Sequence, residues 1–99
     1  MVKSCRSGDY AVAFAPVAYD HRSCACHAIG AQVAKFDVVP PAVYALVRTC
    51  VGETARVWAD NVQRPTECYF IDLQAVQPDV FVRASNCNFV FPVLCSFDF

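Results

Sequence analysis

The residues best suited to chemistry are cysteines and histidines in the first third of the chain. Cys24, Cys26 and His27 lie within four positions, and His21 and Cys5 precede them. Thiolate and imidazole groups bind Zn²⁺, which usually takes four such ligands. The spacing here is C-x-C-H, whereas zinc sites typically show paired CxxC or HxxxH patterns. We therefore favour an ordinary loop with partly buried cysteines and predict no metal or other cofactor, with Cys24, Cys26 and His27 as the candidates if a metal binds.

The same stretch contains the residue types of a cysteine hydrolase. Cys24 or Cys26 could be a nucleophile, with His21 or His27 as a base and Asp20 as an acid. Closeness in sequence does not orient such a triad, and no hydrolase motif surrounds these residues. We therefore predict no catalytic residue.

The seven cysteines bear on the compartment in which the chain works. The first ten residues, MVKSCRSGDY, lack the apolar core of a signal peptide. Most cysteines are therefore expected to be small buried hydrophobes, kept reduced in an intracellular compartment such as the cytoplasm or an organelle matrix. A disulfide framework is the alternative.

Composition limits the classes of partner. The chain has 99 residues, enough for one domain, and is 57% hydrophobic and 17% charged. Such an apolar surplus favours association with other protein subunits. The basic residues are scattered and the net charge is −1, so we expect no nucleic acid. Charged residues interrupt every apolar run before the roughly 20 residues of a membrane-spanning segment.

The clearest structural pattern is helix, turn and strand over residues 38–58. Pro40 and Pro41 can open a helix. One apolar helical face follows, formed by Val43, Leu46, Val47 and Cys50. Gly52 ends the helix, and a period of two then predicts a strand. Trp58 shares a face of that strand with Arg56, which would be a binding hot spot if the face is open, whereas Trp58 is core if the face is covered.

Further strands are predicted at residues 10–14, 32–39 and 67–76. The tail, residues 80–99, is apolar on both faces, so it is either a central strand or a docking arm. We expect an arm, because so small a domain can hardly cover it alone. Its contact residues, together with Trp58, would be Phe89, Phe91, Leu94, Phe97 and Phe99. The fold class is α+β, with a mainly antiparallel sheet and one short helix.

Four segments follow one another in a familiar order: GDYAVAF, AKFDVVPPAVYALV, VGETARVW and ECYFIDLQAV. This order, over residues 7–77, resembles the FKBP-type peptidyl-prolyl isomerase domain. The resemblance implies that residues 1–79 form a curved antiparallel sheet packed on one short helix, with an apolar pocket between them. It places Phe14, Val38, Val39 and Tyr69 in the pocket lining.

Several residues of the isomerase pocket are replaced. Ala42 stands where the family has the tryptophan of the pocket floor, and the family's Phe-Asp pair falls near Cys24-Ala25. The family encloses proline in an aromatic pocket and stabilises a twisted, desolvated amide. We therefore predict a noncatalytic protein-interaction module, an accessory subunit of a larger assembly. The alternative is an active peptidyl-prolyl cis-trans isomerase or folding helper with an altered pocket.

Overall fold

The structure, a computed structural model, describes residues 4–37, 39–64, 67–74 and 82–97. The predictions for Val38 and Phe99 lie outside the described residues. The strands are β1 Ser4–Ser7, β2 Tyr10–Val17, β3 Gln32–Val33, β4 Lys35–Phe36, β5 Arg56–Trp58, β6 Asp60–Asn61, β7 Tyr69–Asp72, β8 Val82–Arg83 and β9 Phe91–Ser96. A short 3-10 helix, Tyr19–His21, precedes α1 Arg22–His27, and α2 is Pro41–Cys50. The chain is thus a small α+β domain.

The strands form one main sheet in the order β1-β2-β9-β5-β7-β8, with β3 also paired to β9. Most described pairings are antiparallel, as the sequence predicts; β5 runs parallel to β9, and β4 and β6 form a separate parallel pair. The tail therefore contributes a central strand, in which Val93, Leu94 and Cys95 are fully buried. Residues 91–97 are apolar on both faces because both faces of the sheet are covered, and they are not a projecting arm.

One face of the sheet is covered by α2, which begins and ends where the sequence predicts. Pro40 caps its start, and Gly52 follows its end with a φ of 134°, a backbone conformation that favours glycine. The apolar face of α2 packs into what we call the helix-side cluster. Its members are Val12, Ala34, Phe36, Val39, Val43, Leu46, Val47, Ala55, Val57, Ala59, Ile71 and Leu94. Within the described residues, no helix is long and apolar enough to cross a bilayer.

The opposite face is covered by α1 and by the segment that leads into β9. Its core, here called the disulfide-side cluster, contains Ala13, Tyr19, Ala25, Cys26, Ala31, Val33, Trp58, Cys68, Phe70, Ala84, Val93 and Cys95. Consecutive residues of a strand point to opposite faces of the sheet, so Val57 lies in the helix-side cluster and Trp58 in the disulfide-side cluster. The sequence alone predicts a loop where α1 lies, because six residues are too few to show a helical period.

Six of the seven cysteines form disulfides, which contradicts the predicted redox state. Three disulfides join Cys5 to Cys50, Cys26 to Cys95 and Cys68 to Cys87, at Cα–Cα distances of 5.8, 5.6 and 5.8 Å. These distances are typical of disulfides. The expectation of reduced cysteines in a reducing intracellular compartment was therefore wrong, and the three bonds indicate an oxidising environment. The paired residues are 45, 69 and 19 positions apart, so the fold and not local sequence brings them together.

Candidate functional site

The residues predicted to bind a partner fall at different depths. Trp58 and Leu94 are fully buried and belong to the core. Phe91 and Phe97 are half-buried. Phe89 is 44% exposed, and beside it Val90 is 59% exposed. Among the described residues, the predicted contact surface is therefore concentrated at Phe89, extended by a valine that the sequence analysis did not single out.

A series of aromatic rings connects this surface to the core. The ring centroid of Phe89 lies 6.1 Å from that of Phe91, which in turn lies 4.7 Å from Trp58 and 5.1 Å from Phe70. Trp58 is fixed further by its indole Nε1–H, which donates to the Val17 carbonyl oxygen at 2.8 Å. Phe89 is thus the outermost member of a packed aromatic group, and its position depends on the rings beneath it.

The segment that presents Phe89, residues 84–90, is here named the Phe89 loop. The disulfide from Cys87 to Cys68 ties its middle to the segment before β7. The Ala84 N–H donates to the Cys68 carbonyl at 2.8 Å, and the Tyr19 N–H donates to the Cys87 carbonyl at 3.1 Å. The loop is therefore attached to two separate parts of the domain, covalently to one and by backbone hydrogen bonds to both.

The loop also has bonds of its own. The Asn88 N–H donates to Asn86 Oδ1 at 2.8 Å, and the Phe89 N–H donates to the Asn86 carbonyl at 3.3 Å. A side-chain oxygen that accepts from the backbone two residues later is the usual stabilisation of such turns. Because these bonds restrain the loop in the free chain, binding of any partner at Phe89 would cost less conformational entropy.

A polar cluster holds the 3-10 helix Tyr19–His21 in place, and this helix is hydrogen-bonded to the Phe89 loop through Tyr19. The Arg22 Nε–H donates to Asp60 Oδ1 at 2.8 Å, and the Arg22 guanidinium lies 3.7 Å from the centre of the Tyr19 ring. The Tyr19 hydroxyl donates to the Glu67 carbonyl at 3.0 Å. Burial raises the pKa of Tyr19, the Asp60 carboxylate raises it further, and the Arg22 charge opposes both. Tyr19 therefore keeps its proton and its bonds throughout the neutral range.

Beside this cluster lies an open polar cleft of about 330 Å³. It is lined by Arg22, Ser23, His27, Gln32, Val33, Lys35 and Asp60. Serine, histidine and aspartate are the residue types of a hydrolase, but both carboxylate oxygens of Asp60 accept from Arg22, at 2.8 and 3.5 Å. Asp60 thus serves as the partner of Arg22, and the arrangement does not orient His27 as a base.

The candidate zinc ligands do not converge. Cys26 is bonded to Cys95, so its sulfur is not available as a thiolate. Cys24 is an exposed free thiol, and His27 is exposed on the same short helix. Within the part of the chain that the structure describes, no group of three or more His, Cys, Asp or Glu residues could hold a metal ion.

The residues that the FKBP resemblance places in a pocket lie apart from the described clefts. Phe14 packs at the edge of the helix-side cluster, and Val39 is buried within it. The Tyr69 hydroxyl donates to Glu67 Oε2 at 2.6 Å, which lowers the pKa of Glu67 and raises that of Tyr69. A cleft of about 380 Å³ beside α2 does include Ala42, but its lining is otherwise Cys5, Arg6, Ser7, Ala45, Leu46, Thr49 and Cys50.

Comparison with known proteins adds no relative. No protein-family model, no curated protein and no solved structure matches the chain. The FKBP resemblance is therefore untested and stays a prediction.

Proposed function

We propose that this chain is a noncatalytic protein-binding domain that joins a larger assembly through the Phe89 loop. The observation that supports this most is the exposed Phe89–Val90 pair, held on a loop that a disulfide and backbone hydrogen bonds restrain. Exposed aromatic residues on rigid supports are typical of the few positions that supply most of the affinity at protein interfaces.

The chemistry of the loop indicates the kind of partner. Phe89 and Val90 are flanked by Ser85, Asn86 and Asn88, which are polar, uncharged and exposed. An apolar centre with a hydrogen-bonding rim is the usual composition of an interface. The partner should therefore offer an apolar pocket for the phenyl ring, surrounded by groups that hydrogen-bond to amides. Truncation of Phe89 should weaken such binding by about 2 kcal/mol, or about 30-fold in Kd.

An FKBP-like arrangement is part of this proposal. Its support is the order of the matching segments and the packing of α2 on a mainly antiparallel sheet. The isomerase alternative requires an apolar pocket, and Phe14, Val39 and Tyr69 line neither of the two clefts described above. We expect no acceleration of prolyl isomerisation when the oxidised protein is assayed with a short proline peptide. An accelerated rate that is abolished by substitution of Phe14 would favour the enzyme.

Site-specific cross-linking tests the proposed binding surface. Phe89 is replaced by the photoreactive residue benzoylphenylalanine, which retains an aromatic ring, and the oxidised chain is irradiated in extracts of its native source. We expect one cross-linked protein, at a fixed stoichiometry, whose capture by the unlabelled chain is lost in Phe89→Ala. The matched control carries benzoylphenylalanine at Val62, which is 47% exposed in a different loop. The same products at both positions, or none at position 89, would contradict the proposal.

A further inference from the structure

We infer that the disulfide between Cys68 and Cys87 is a redox-sensitive tether, which a dithiol reductant opens more readily than the buried Cys26–Cys95 disulfide and which then releases the Phe89 loop. The inference rests on the proposed function where it concerns binding, since it names how that surface is regulated. The order in which these two disulfides open, and the release of the loop, are argued from the exposure and position of their cysteines.

The disulfides differ in how far an attacking thiolate can reach them. Cys26 and Cys95 are both 0% exposed, in the centre of the disulfide-side cluster. Cys87 lies on the exposed surface of the Phe89 loop, although its partner Cys68 is buried. Exchange requires a thiolate to approach one of the two sulfur atoms, so access to a single cysteine is sufficient. The exposed Cys87 therefore makes its disulfide open more readily than the buried pair.

The third disulfide, between Cys5 and Cys50, serves as a contrast because both its residues are half-buried. It joins β1 to the end of α2, on the helix side of the sheet. Its opening would leave the attachments of the Phe89 loop intact. Only the bond at Cys87, among the three described disulfides, couples a redox change directly to the surface that carries Phe89.

The attachments that remain after reduction are backbone hydrogen bonds. They run from Ala84 to Cys68 and from Tyr19 to Cys87, at 2.8 and 3.1 Å. Two backbone hydrogen bonds restrain a loop less than a covalent bond does, so the loop would sample more conformations once its covalent tie is gone. Phe89 would then be presented less uniformly, and a partner would have to order the loop as it binds.

A dithiol reductant opens the Cys68–Cys87 disulfide in two thiol–disulfide exchange steps. One thiolate of the dithiol attacks Sγ of Cys87, the protein S–S bond breaks, and Cys68 leaves as a thiolate that takes a proton from water. The second thiolate of the dithiol then attacks its own sulfur in the mixed disulfide and releases Cys87 as a thiolate. The protein gains two electrons and two thiols, and the dithiol becomes a cyclic disulfide.

The test is a titration of the oxidised full-length chain with dithiothreitol. Free thiols are trapped with N-ethylmaleimide and located by peptide mass spectrometry, while hydrogen exchange is followed at the amides of Asn88 and Phe89. We expect Cys68 and Cys87 to be labelled at reductant concentrations about tenfold below those that label Cys26 and Cys95. Exchange at the two loop amides should rise over the same range. Earlier labelling of Cys26 and Cys95, or unchanged exchange after Cys87 is labelled, would overturn the inference.

A pair of variants separates this inference from the proposed function. Cys68→Ser/Cys87→Ser should lose the cross-link from position 89 without any reductant, whereas Cys5→Ser/Cys50→Ser should keep both the cross-link and its loss on reduction. If the oxidised chain that carries benzoylphenylalanine at position 89 and all its native cysteines gives no cross-link, the proposed function fails, while the labelling and exchange results still decide the redox inference. If the cross-link persists after Cys68 and Cys87 are labelled, regulation fails and the binding surface stands.

Discussion

The two faces of the central sheet are stabilised in different ways. On the helix side, the regular ten-residue helix α2 buries an aliphatic surface formed by Val43, Leu46 and Val47. On the disulfide side, the cover is the six-residue α1 and the Phe89 loop, and it packs on Trp58 and Phe70. Two of the three disulfides have cysteines in the disulfide-side cluster. On the disulfide side, aromatic packing and covalent bonds thus stabilise covering segments that are short and irregular.

The two faces also differ in whether their restraints act on a surface exposed to solvent. On the helix side, α2 pairs most of its backbone groups internally, and one disulfide joins its last residue, Cys50, to Cys5. A loop has no such internal ladder, and its conformation must be restrained from outside. The same restraints that stabilise the disulfide side also present Phe89 and Val90 to solvent. We therefore expect substitutions beneath the loop to affect stability and substitutions at its tip to affect binding.

The largest loss of stability should come from Trp58→Ala. Trp58 is fully buried, packs against three other aromatic rings and donates to the Val17 carbonyl. Removal of a buried tryptophan leaves a large cavity, so we expect a loss of about 5 kcal/mol in the free energy of unfolding. Denaturant unfolding followed by circular dichroism measures it. Trp58→Phe should lose less, and a loss below about 2 kcal/mol for Trp58→Ala would show that the disulfide side is not organised around this ring.

The next effect should come from Cys26→Ala/Cys95→Ala. This disulfide closes a loop of 69 residues, the longest of the three. Its restraint on the unfolded chain corresponds to about 4 kcal/mol in the loop-entropy description, against about 3 kcal/mol for the 19-residue separation of Cys68 and Cys87. Urea unfolding of each double variant under oxidising conditions compares them. Greater destabilisation by loss of the shorter link would contradict this order.

On the helix side, Leu46→Ala should have a smaller effect than Trp58→Ala. Leu46 is 8% exposed and borders the open cleft beside α2, so water can fill part of the space that its side chain leaves. We expect a loss of about 2 to 3 kcal/mol in the same denaturant assay. A loss equal to that of Trp58→Ala would remove the energetic contrast between the two faces.

The polar cluster under the loop predicts a dependence on alkaline pH. The pKa of Tyr19 is raised above its ordinary value of 10.0, mainly by burial, so the folded state holds this proton more tightly than the unfolded state. The stability due to Tyr19 is therefore complete below pH 10 and is lost as pH rises through the folded-state pKa. Tyr19→Phe should lower stability by about 1 kcal/mol at pH 7 and flatten the alkaline decline.

The measurement is urea unfolding between pH 7 and 11. Cys24→Ser serves as the common background, because the exposed thiol would otherwise promote disulfide exchange at high pH. If Tyr19→Phe and its parent decline in parallel above pH 10, Tyr19 is not the group responsible.

The smallest effect on stability should come from Phe89→Ala. The side chain is 44% exposed and sits outside both core clusters, so the free energy of unfolding should change by no more than about 0.5 kcal/mol. Urea unfolding of Phe89→Ala is compared with that of Val62→Ala, which is also a substitution at an exposed position. A loss above 1.5 kcal/mol would mean that Phe89 is part of the folded core and not a surface for a partner.

The sequence was informative where regular periods exist. Two prolines, an apolar helical period and a glycine predicted α2, and alternation predicted β5. The tail illustrates the limit, since residues that are apolar on both faces are equally compatible with an arm and with a central strand. Only the sheet order, with β9 between β2 and β5, distinguishes the two.

The disulfide pairings could not be predicted from the sequence for a different reason. Their cysteines are separated by 19 to 69 positions, and six paired cysteines allow 15 connectivities that sequence alone does not rank. The density of cysteine, seven in 99 residues, was the available signal. Phe89 was predicted as a contact residue from its type, but the reason for its exposure is the attachment of its loop through Cys87.

Disulfide mapping tests the central claim that covalent links organise the aromatic face and present Phe89. The chain is isolated from its native source with free thiols blocked by N-ethylmaleimide, digested without reduction and analysed by mass spectrometry. We expect linked peptides for Cys5 with Cys50, Cys26 with Cys95 and Cys68 with Cys87, with the label on Cys24 alone. Labels on all seven cysteines, or a linkage of Cys87 to any residue other than Cys68, would contradict it.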